Sequence, residues 1–432
     1  MATAAPKSTD RAVDITLSLL WEVFGSVPVD NIAVRLWDGT IWKPDGAGAT
    51  RCTIVLQHPG ALRKMFLGAS ELSLAEAYLH NDFDIEGDIG ALMPLINHLF
   101  GNPKKKLEQL RYGARLLRLP NLGQPRSADA AARVDGVAHS KERDLQAISH
   151  HYNISNDFFA LWLDSRMVYS CAYFATPDDD LETAQKRKLD YLCRKLRLRP
   201  GDRLLDIGFG WGGLMIYAAQ RYGVVAEGIT ISSAQLLLAQ ERIKQAGLEN
   251  SCKVHFGDYR EMKESGGYDK VVAAGVAEHM GKGPLPTFFK SAWEQLRPGG
   301  VFLNQSVGVH SNAHYLLGAD FVRKYVFPDG EPVTLSTYLD AAESAGFQVR
   351  DVENLAEHYV YTLRHWLRHY EERAADVRKR VGELAYRSWR VYLAAALHEY
   401  EVGTAQLYQM LFVKYAEKGK SGLPLTRQDW YS

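Results

Sequence analysis

The stretch Leu205-Asp206-Ile207-Gly208-Phe209-Gly210-Trp211-Gly212-Gly213 decides the fold. An apolar run, RLLDIG, gives way to closely spaced glycines and then to the amphipathic GLMIYAAQRYG. That is strand, tight turn and helix in order. Glycines let a backbone turn and approach a ligand, and the helix start favours negative charge. Dehydrogenases carry a G-x-G-x-x-G turn at the same place. Asp206, two positions before the first glycine, suits a cationic or hydroxyl-bearing ligand better than a pyrophosphate, and Trp211 fills the space a phosphate needs. S-adenosylmethionine is therefore the expected cofactor, against Asp206, Gly208, Gly210, Trp211 and Gly212. A dinucleotide, or a turn holding no ligand, is the alternative.

Around this loop, strands and helices alternate from about residue 185: ETAQKRKLDYLCRKL helix, RLLDIG strand, VVAEGITI strand, AQLLLAQERIKQAG helix, KVHFG and DKVVAAG strands, LPTFFKSAWEQL helix, GGVFLNQSVG strand. This predicts an α/β class: a Rossmann-like, doubly wound, mostly parallel sheet whose ligands sit at the carboxyl ends of its strands. The second strand does not end in a ribose-binding acid, since Glu227 falls in mid-strand; Thr230, Ser232 and Gln235 are expected to hold the ribose and methionyl part. After the third strand, Asp258 and Tyr259 can reach an adenine's amino group and ring face. Residues 363–418 read as helical, without a strand signature.

Upstream, 11–26 reads as a helix, IAVRLWDGTIW as strand, Asp-Gly turn and strand, CTIVLQ as a strand, and 59–100 as mainly helical. The expected division is a small α+β unit over 1–120 for lipid or dimer contact, a linker over 121–145, poor in large apolar residues, and a catalytic domain with a helical lid over 146–432.

The chain has 432 residues, with 51 Lys plus Arg against 51 Asp plus Glu and 46% hydrophobic residues. It can bury a sizeable core and is not disordered or held on nucleic acid by overall charge. Cys52, Cys171, Cys193 and Cys252 form no C-x-x-C pair, so neither a disulfide framework nor a thiolate metal site is expected. With no signal-peptide pattern and no apolar run of spanning length, a cytoplasmic protein is expected. Locally the charge is uneven. Residues 101–120 carry Lys104, Lys105, Lys106, Arg111, Arg115 and Arg118 against Glu108, and 362–390 carry eight basic residues against four acids. Such amphipathic basic stretches suit the anionic inner face of a membrane, or are simply solvated helix faces.

HYNISNDFFALWLD (151–164), MVYSCAYF (167–174), LDIGFGWGG (205–213), GITISSAQ (228–235), GDYR (257–260), AEHMG (277–281), KYVFPDG (324–330) and HYVYTLRHW (358–366) together resemble the cyclopropane fatty acid (mycolic acid cyclopropane) synthase family, in its order and spacing, over about 145–415. The first unit more loosely resembles the small domain that bacterial members carry ahead of the catalytic one. The resemblance implies methyl(ene) transfer from S-adenosylmethionine to the double bond of unsaturated phospholipid acyl chains, with bound bicarbonate as the base. It puts Glu278, Cys171, Tyr359 and the position of Gln305 at the catalytic centre, and Tyr169 and Ser170 beside the cofactor. A homodimer is left open.

The chemistry can be argued on its own. An alkene attacking a sulfonium methyl leaves a carbocation on the chain, so the site needs dryness, aromatic faces and a base. His151, Tyr152, Phe158, Phe159, Trp162, Tyr169, Tyr173 and Phe174, with Tyr325, Phe327, Tyr359 and Trp366, supply the aromatics, although such residues are often core. Three positions depart from the family's pattern. Gln305 replaces a usual histidine and cannot take up a proton. Phe209 stands where Cys is common, and Ala396 where many members carry a cysteine. Gln305 leaves a methylene- or methyl-branched product open beside a ring. Small-molecule methylation and a non-catalytic lipid binder are further alternatives. A nucleic-acid methyltransferase lacks support, because no Asn/Asp-Pro-Pro-aromatic tetrad occurs.

Overall fold

A computed structural model of the chain describes residues 8–24, 31–44, 48–101, 106–123, 131–263, 266–313 and 316–431. It divides into two compact units.

The first unit comprises Met1–Ala131 together with the later segments Tyr315–Tyr325 and Gly382–His398. Its sheet has the order β2-β1-β3-β4, with β1 (Ile32–Arg35), β2 (Ile41–Trp42), β3 (Cys52–Leu56) and β4 (Phe83–Gly87). The Asp-Gly turn joins the antiparallel β1 and β2 as expected, whereas β4 lies inside a stretch expected to be mainly helical. As an edge strand, β4 has carbonyls left over on one side. Arg390 donates to Ile85 and Gly87 (both 3.0 Å), and Arg387 to Tyr78 (2.8 Å) and Phe83 (3.4 Å). A guanidinium with five fixed donors suits that task. Two of the eight basic residues of 362–390 are thus buried rather than offered to a membrane. Arg111 and Arg115 both pair with Glu22, while Lys104 and Lys105 lie outside the described residues.

The second unit comprises Ala132–His314, Val326–Val381 and Glu399–Ser432. Its helix Lys141–Tyr152 begins inside the expected linker. The sheet has the order β11-β12-β9-β8-β5-β6-β7, with β5 (Arg203–Ile207), β6 (Val225–Thr230), β7 (Cys252–Phe256), β8 (Tyr268–Ala274), β9 (Leu296–Val309), β11 (Gln348–Asn354) and β12 (Ala405–Val413). The two-residue β10 (Val333–Thr334) pairs with β9. Strands β5 to β9 are parallel, and β12 runs antiparallel between β9 and β11. Alternate residues feed the two faces. Leu204, Val272, Val301 and Leu303 join the core under the helix Leu181–Leu196, and Leu205, Val271 and Phe302 join the core under Leu285–Gln295.

The helical reading of 363–418 is corrected at β12. All nine of its residues are buried, so AQLYQMLFV lacks the alternation that marks a half-exposed strand. From β5 the chain winds outward through β6 and β7, then crosses back to β8. The strand order therefore reverses between β5 and β8, the crevice where open α/β sheets bind ligands.

Candidate functional site

At this crevice the turn after β5 is built by necessity from glycine. Gly208 has φ +74°, and a Cβ there would lie 2.4 Å from Val276 Cγ2. The space so kept open is a cavity of two lobes, about 120 and 70 Å³, sharing Tyr152, Gly208, Gln235 and Gly275. The larger lobe has an apolar floor of Ile207, Ile229 and Val276, with the Tyr259 ring and, at its polar side, Thr230 and Asp258. The smaller holds Asp206, Lys188, Ser170, Tyr169, Gly210 and Trp211. An apolar, aromatic lobe joined to a charged one fits a nucleoside joined to a zwitterionic amino acid, which is the make-up of S-adenosylmethionine.

The expected cofactor residues fall into two groups. Asp206, Gly208, Gly210, Trp211, Tyr169, Ser170, Thr230, Gln235, Asp258 and Tyr259 line the cavity. Gly212 and Ser232 stand behind it as helix caps: Gly212 (φ +81°) starts Gly213–Tyr222, and Ser232 accepts from the N–H of Gln235 while bonding Asn153 Oδ1 at 3.0 Å. Trp211 donates from Nε1 to Asn156 Oδ1 at 2.7 Å, which fixes its ring. Asp258 reaches the cavity already paired, since Arg260 donates to it from its backbone and Nε at 2.8 Å and from Nη2 at 2.5 Å. Glu227 is engaged by Arg203 and Tyr268, in keeping with a mid-strand acid that serves no ribose.

Lys188 is the cavity residue that sequence reasoning missed. It is buried, donates to Ser170 Oγ at 2.7 Å, and is pushed down to about 8 by desolvation, against the pull of the nearby Cys171, Asp164 and Asp206. Burial likewise raises Asp206, with Lys188 opposing. The available signal was helical spacing: Lys188 falls on the same face as Ala184 and Leu192, both fully buried.

Of the candidate catalytic residues, Glu278 lies in the single turn Ala277–His279 that follows β8 rather than on the strand itself. Its Oε1 sits 3.8 Å from where a Cβ on Gly275 would be, hence beside the cavity. Its Oε2 is buried with no hydrogen-bond partner among the described residues. Desolvation raises this carboxyl to about 7, opposed by backbone groups and the Ser306 hydroxyl. Cys171 is wholly buried, its thiol pushed up to about 12 by desolvation, with its sulfur 3.8 Å from the Leu355 carbonyl and 3.9 Å from Thr362 Oγ1. It is an S–H donor, not a thiolate. Thr362 and Tyr359 share the helix Ala356–Glu372, so Cys171 and Tyr359 belong to one packed layer. Gln305 is buried on β9 and accepts from Gln409 Nε2 at 2.9 Å. His279 lines the larger lobe, lowered to about 4 by burial.

A continuous aromatic wall leads away from the cavity. Tyr169 lies 5.1 Å from Trp366 and 5.3 Å from Trp162 between ring centres; Trp366 meets Tyr359 at 5.8 Å, and Tyr359 meets Tyr400 at 4.7 Å. Such faces stabilise positive charge and exclude water.

A family model described as mycolic acid cyclopropane synthetase matches residues 139–410, and one described as a domain of unknown function matches 19–109. A probable fatty acid methyltransferase of Pseudomonas putida is 36% identical over 93% of this chain and 96% of its own. The cyclopropane-fatty-acyl-phospholipid synthase of Escherichia coli K12 is 35% identical over 67% of this chain and 73% of its own. Among solved structures, the mycolic acid cyclopropane synthase CmaA1, complexed with SAH and CTAB, is 29% identical and superposes with a TM-score of 0.59, covering 62% of this chain and 97% of that one.

Proposed function

The chain belongs to the mycolic acid cyclopropane synthetase family of S-adenosylmethionine-dependent lipid methyltransferases, and from that premise we propose that it adds a methylene unit across the cis double bond of unsaturated phospholipid acyl chains, closing a cyclopropane ring. The observation that carries this reading is the buried Glu278 carboxyl, with Oε2 unpartnered, beside a cofactor-shaped cavity with an aromatic wall. Methyl transfer to a heteroatom leaves no carbocation on the acceptor, whereas an alkene that attacks a methyl group does and needs a dry, aromatic wall to shelter it.

S-adenosylmethionine, when bound, supplies an electrophilic methyl. In this proposal Tyr259 and the apolar floor take the adenine, Thr230 and Gln235 the ribose side, and Asp206, Lys188 and Ser170 the charged amino-acid end. The glycines admit the ligand against the backbone, and Trp211, braced by Asn156, closes the loop side. Tyr169, Trp162, Trp366 and Tyr359 exclude water and face the positive charge that develops on the acyl chain. Bicarbonate fits as the base: an acceptor oxygen of Glu278 without a partner can receive its O–H, and Cys171, held protonated, would have to turn its S–H from the Ala172 and Leu355 carbonyls to donate to the anion. When bound it supplies the proton acceptor. A second reading, a methylene- or methyl-branched product, is supported by Gln305, whose amide cannot take up a proton.

No helix among the described residues is long and apolar enough to cross a membrane. The lipid is therefore proposed to be reached at the membrane surface, with exposed basic residues such as Arg368 helping contact. The test is expression in a host with monounsaturated phospholipids, followed by mass spectrometry of its fatty acids. A gain of one methylene in mass is expected, with NMR placing it in a ring. An unaltered fatty-acid profile would contradict the proposal.

A further inference from the structure

Lys195 is wholly buried, and its Nζ has three acceptors: Glu353 Oε2 at 2.8 Å, Gln409 Oε1 at 3.1 Å and Asp351 Oδ2 at 3.2 Å. An ammonium group carries three protons and no lone pair. Gln409 must therefore show its oxygen to Lys195, which leaves its NH2 for Gln305. Gln409 faces Glu353 across β11–β12 and Gln305 across β12–β9, so sheet register holds the series in line. Gln305 in turn must accept through Oε1, as the 2.9 Å bond records. Its own NH2 is then turned away from Gln409; the other neighbour of β9 at that level is β8. The end of β8 there is Ala274, level with Gln305, followed by Gly275, whose N–H donates to the Gln305 carbonyl at 2.9 Å. Both line the cavity.

We propose that Lys195 and Gln409 are positioning residues that fix the polarity of position 305, so that it presents an N–H donor to an anion at the reacting centre and no lone pair. This rests on the methyl-transfer reading above and deepens it. Reversal of either amide would set NH2 against ammonium, or leave a buried polar group unpaired. A histidine at 305 would meet the same constraint, its lone pair turned to Gln409 and its N–H to the site. Gln305 thus offers what a neutral histidine held there would offer, and its inability to accept a proton does not by itself argue against ring closure.

The test is Gln409→Glu in the full-length protein, assayed on vesicles of monounsaturated phospholipid with S-adenosylmethionine. An ionised carboxylate cannot donate to Gln305, so turnover should fall at least about tenfold at alkaline pH. A protonated one can donate again, so the ratio of variant to native turnover should climb as the pH is lowered. The charged and titratable groups around position 409 are Lys195, Asp351 and Glu353, with Tyr191 on Glu353 and Arg427 on Asp351. All of them are present in the native protein too, so the ratio reports the titration of the introduced carboxylate as these neighbours tune it. Gln409→Leu should be slow without any pH recovery, and S-adenosylmethionine affinity by calorimetry should stay within about twofold for both. In the cofactor-free protein, the Gln409 side-chain N–H2 should exchange slowly with solvent, and at least about tenfold faster in Lys195→Met. Native turnover in Gln409→Glu, a pH-independent loss, or equal exchange in Lys195→Met would overturn the proposal. Failure of the native protein to alter the lipid would instead sink the methyl-transfer reading, and the exchange measurement would still decide the orientation.

Discussion

Glu278 is the residue on which the proposed chemistry and stability meet. A carboxyl held largely out of water with Oε2 unpartnered gives up solvation when it ionises, and backbone groups with the Ser306 hydroxyl only partly offset this, which is why it is pushed up to about 7 from the usual 4.5. Between those values the folded protein keeps a proton that the unfolded chain has lost, so the contribution of Glu278 to stability declines as pH rises from about 4.5 to 7. Glu278→Gln should remove this slope and be the more stable protein at pH above 7, measured by denaturant melts across pH. The same change should lower turnover by about 100-fold or more while leaving cofactor affinity nearly intact. Native turnover should rise with pH through about 7 as the carboxylate forms. A variant with native turnover would contradict its assignment. Asp206 was legible in the sequence because it sits at the end of an apolar strand just ahead of the glycine turn, and Glu278 because it lies in the motif AEHMG shortly after another. Lys188, Lys195 and Gln409 were not. A lysine on a helix ordinarily reads as solvated; spacing from Ala184 and Leu192 was the one hint for Lys188, and the packing of Leu181–Leu196 on the sheet shows that both lysines are buried.

At the scale of elements, the parallel strands β5 to β9 were readable because glycine turns and amphipathic helices punctuate them. Strand β12 was not, because burial on both faces erases its period of two. Arg387 and Arg390 misled for a related reason: their helix looks basic and amphipathic in sequence, yet these two guanidinium groups are committed to carbonyls around β4. The turn after β5 gives the clearest prediction at this scale. Gly208→Ala imposes a left-handed φ on a residue with a Cβ and drives that Cβ toward Val276. With strain of about 1–3 kcal/mol and a loop forced to shift, S-adenosylmethionine binding should weaken at least about tenfold by calorimetry. Undiminished affinity would mean that the loop does not cradle the cofactor.

Taken as a whole molecule, the chain is neutral, with 51 charges of each sign, and its local basic runs are thinned by internal pairing with Glu22 and by burial of Arg387 and Arg390. Fold class and family are legible in the amino-acid sequence, because eight motifs fall in one order around one sheet. The make-up of the first unit is not, since it gathers Tyr315–Tyr325 and Gly382–His398 from far along the chain. In the proposed function, what unites the cavity, the aromatic wall and Glu278 is transfer of a methyl carbon to an acyl alkene. That claim is tested most directly by incubating the purified protein with methyl-labelled S-adenosylmethionine and vesicles of either monounsaturated or fully saturated phospholipid, and locating the label by mass spectrometry. The account predicts label in the acyl chain of the unsaturated lipid alone; label in a head group, or equal label in the saturated lipid, would contradict it.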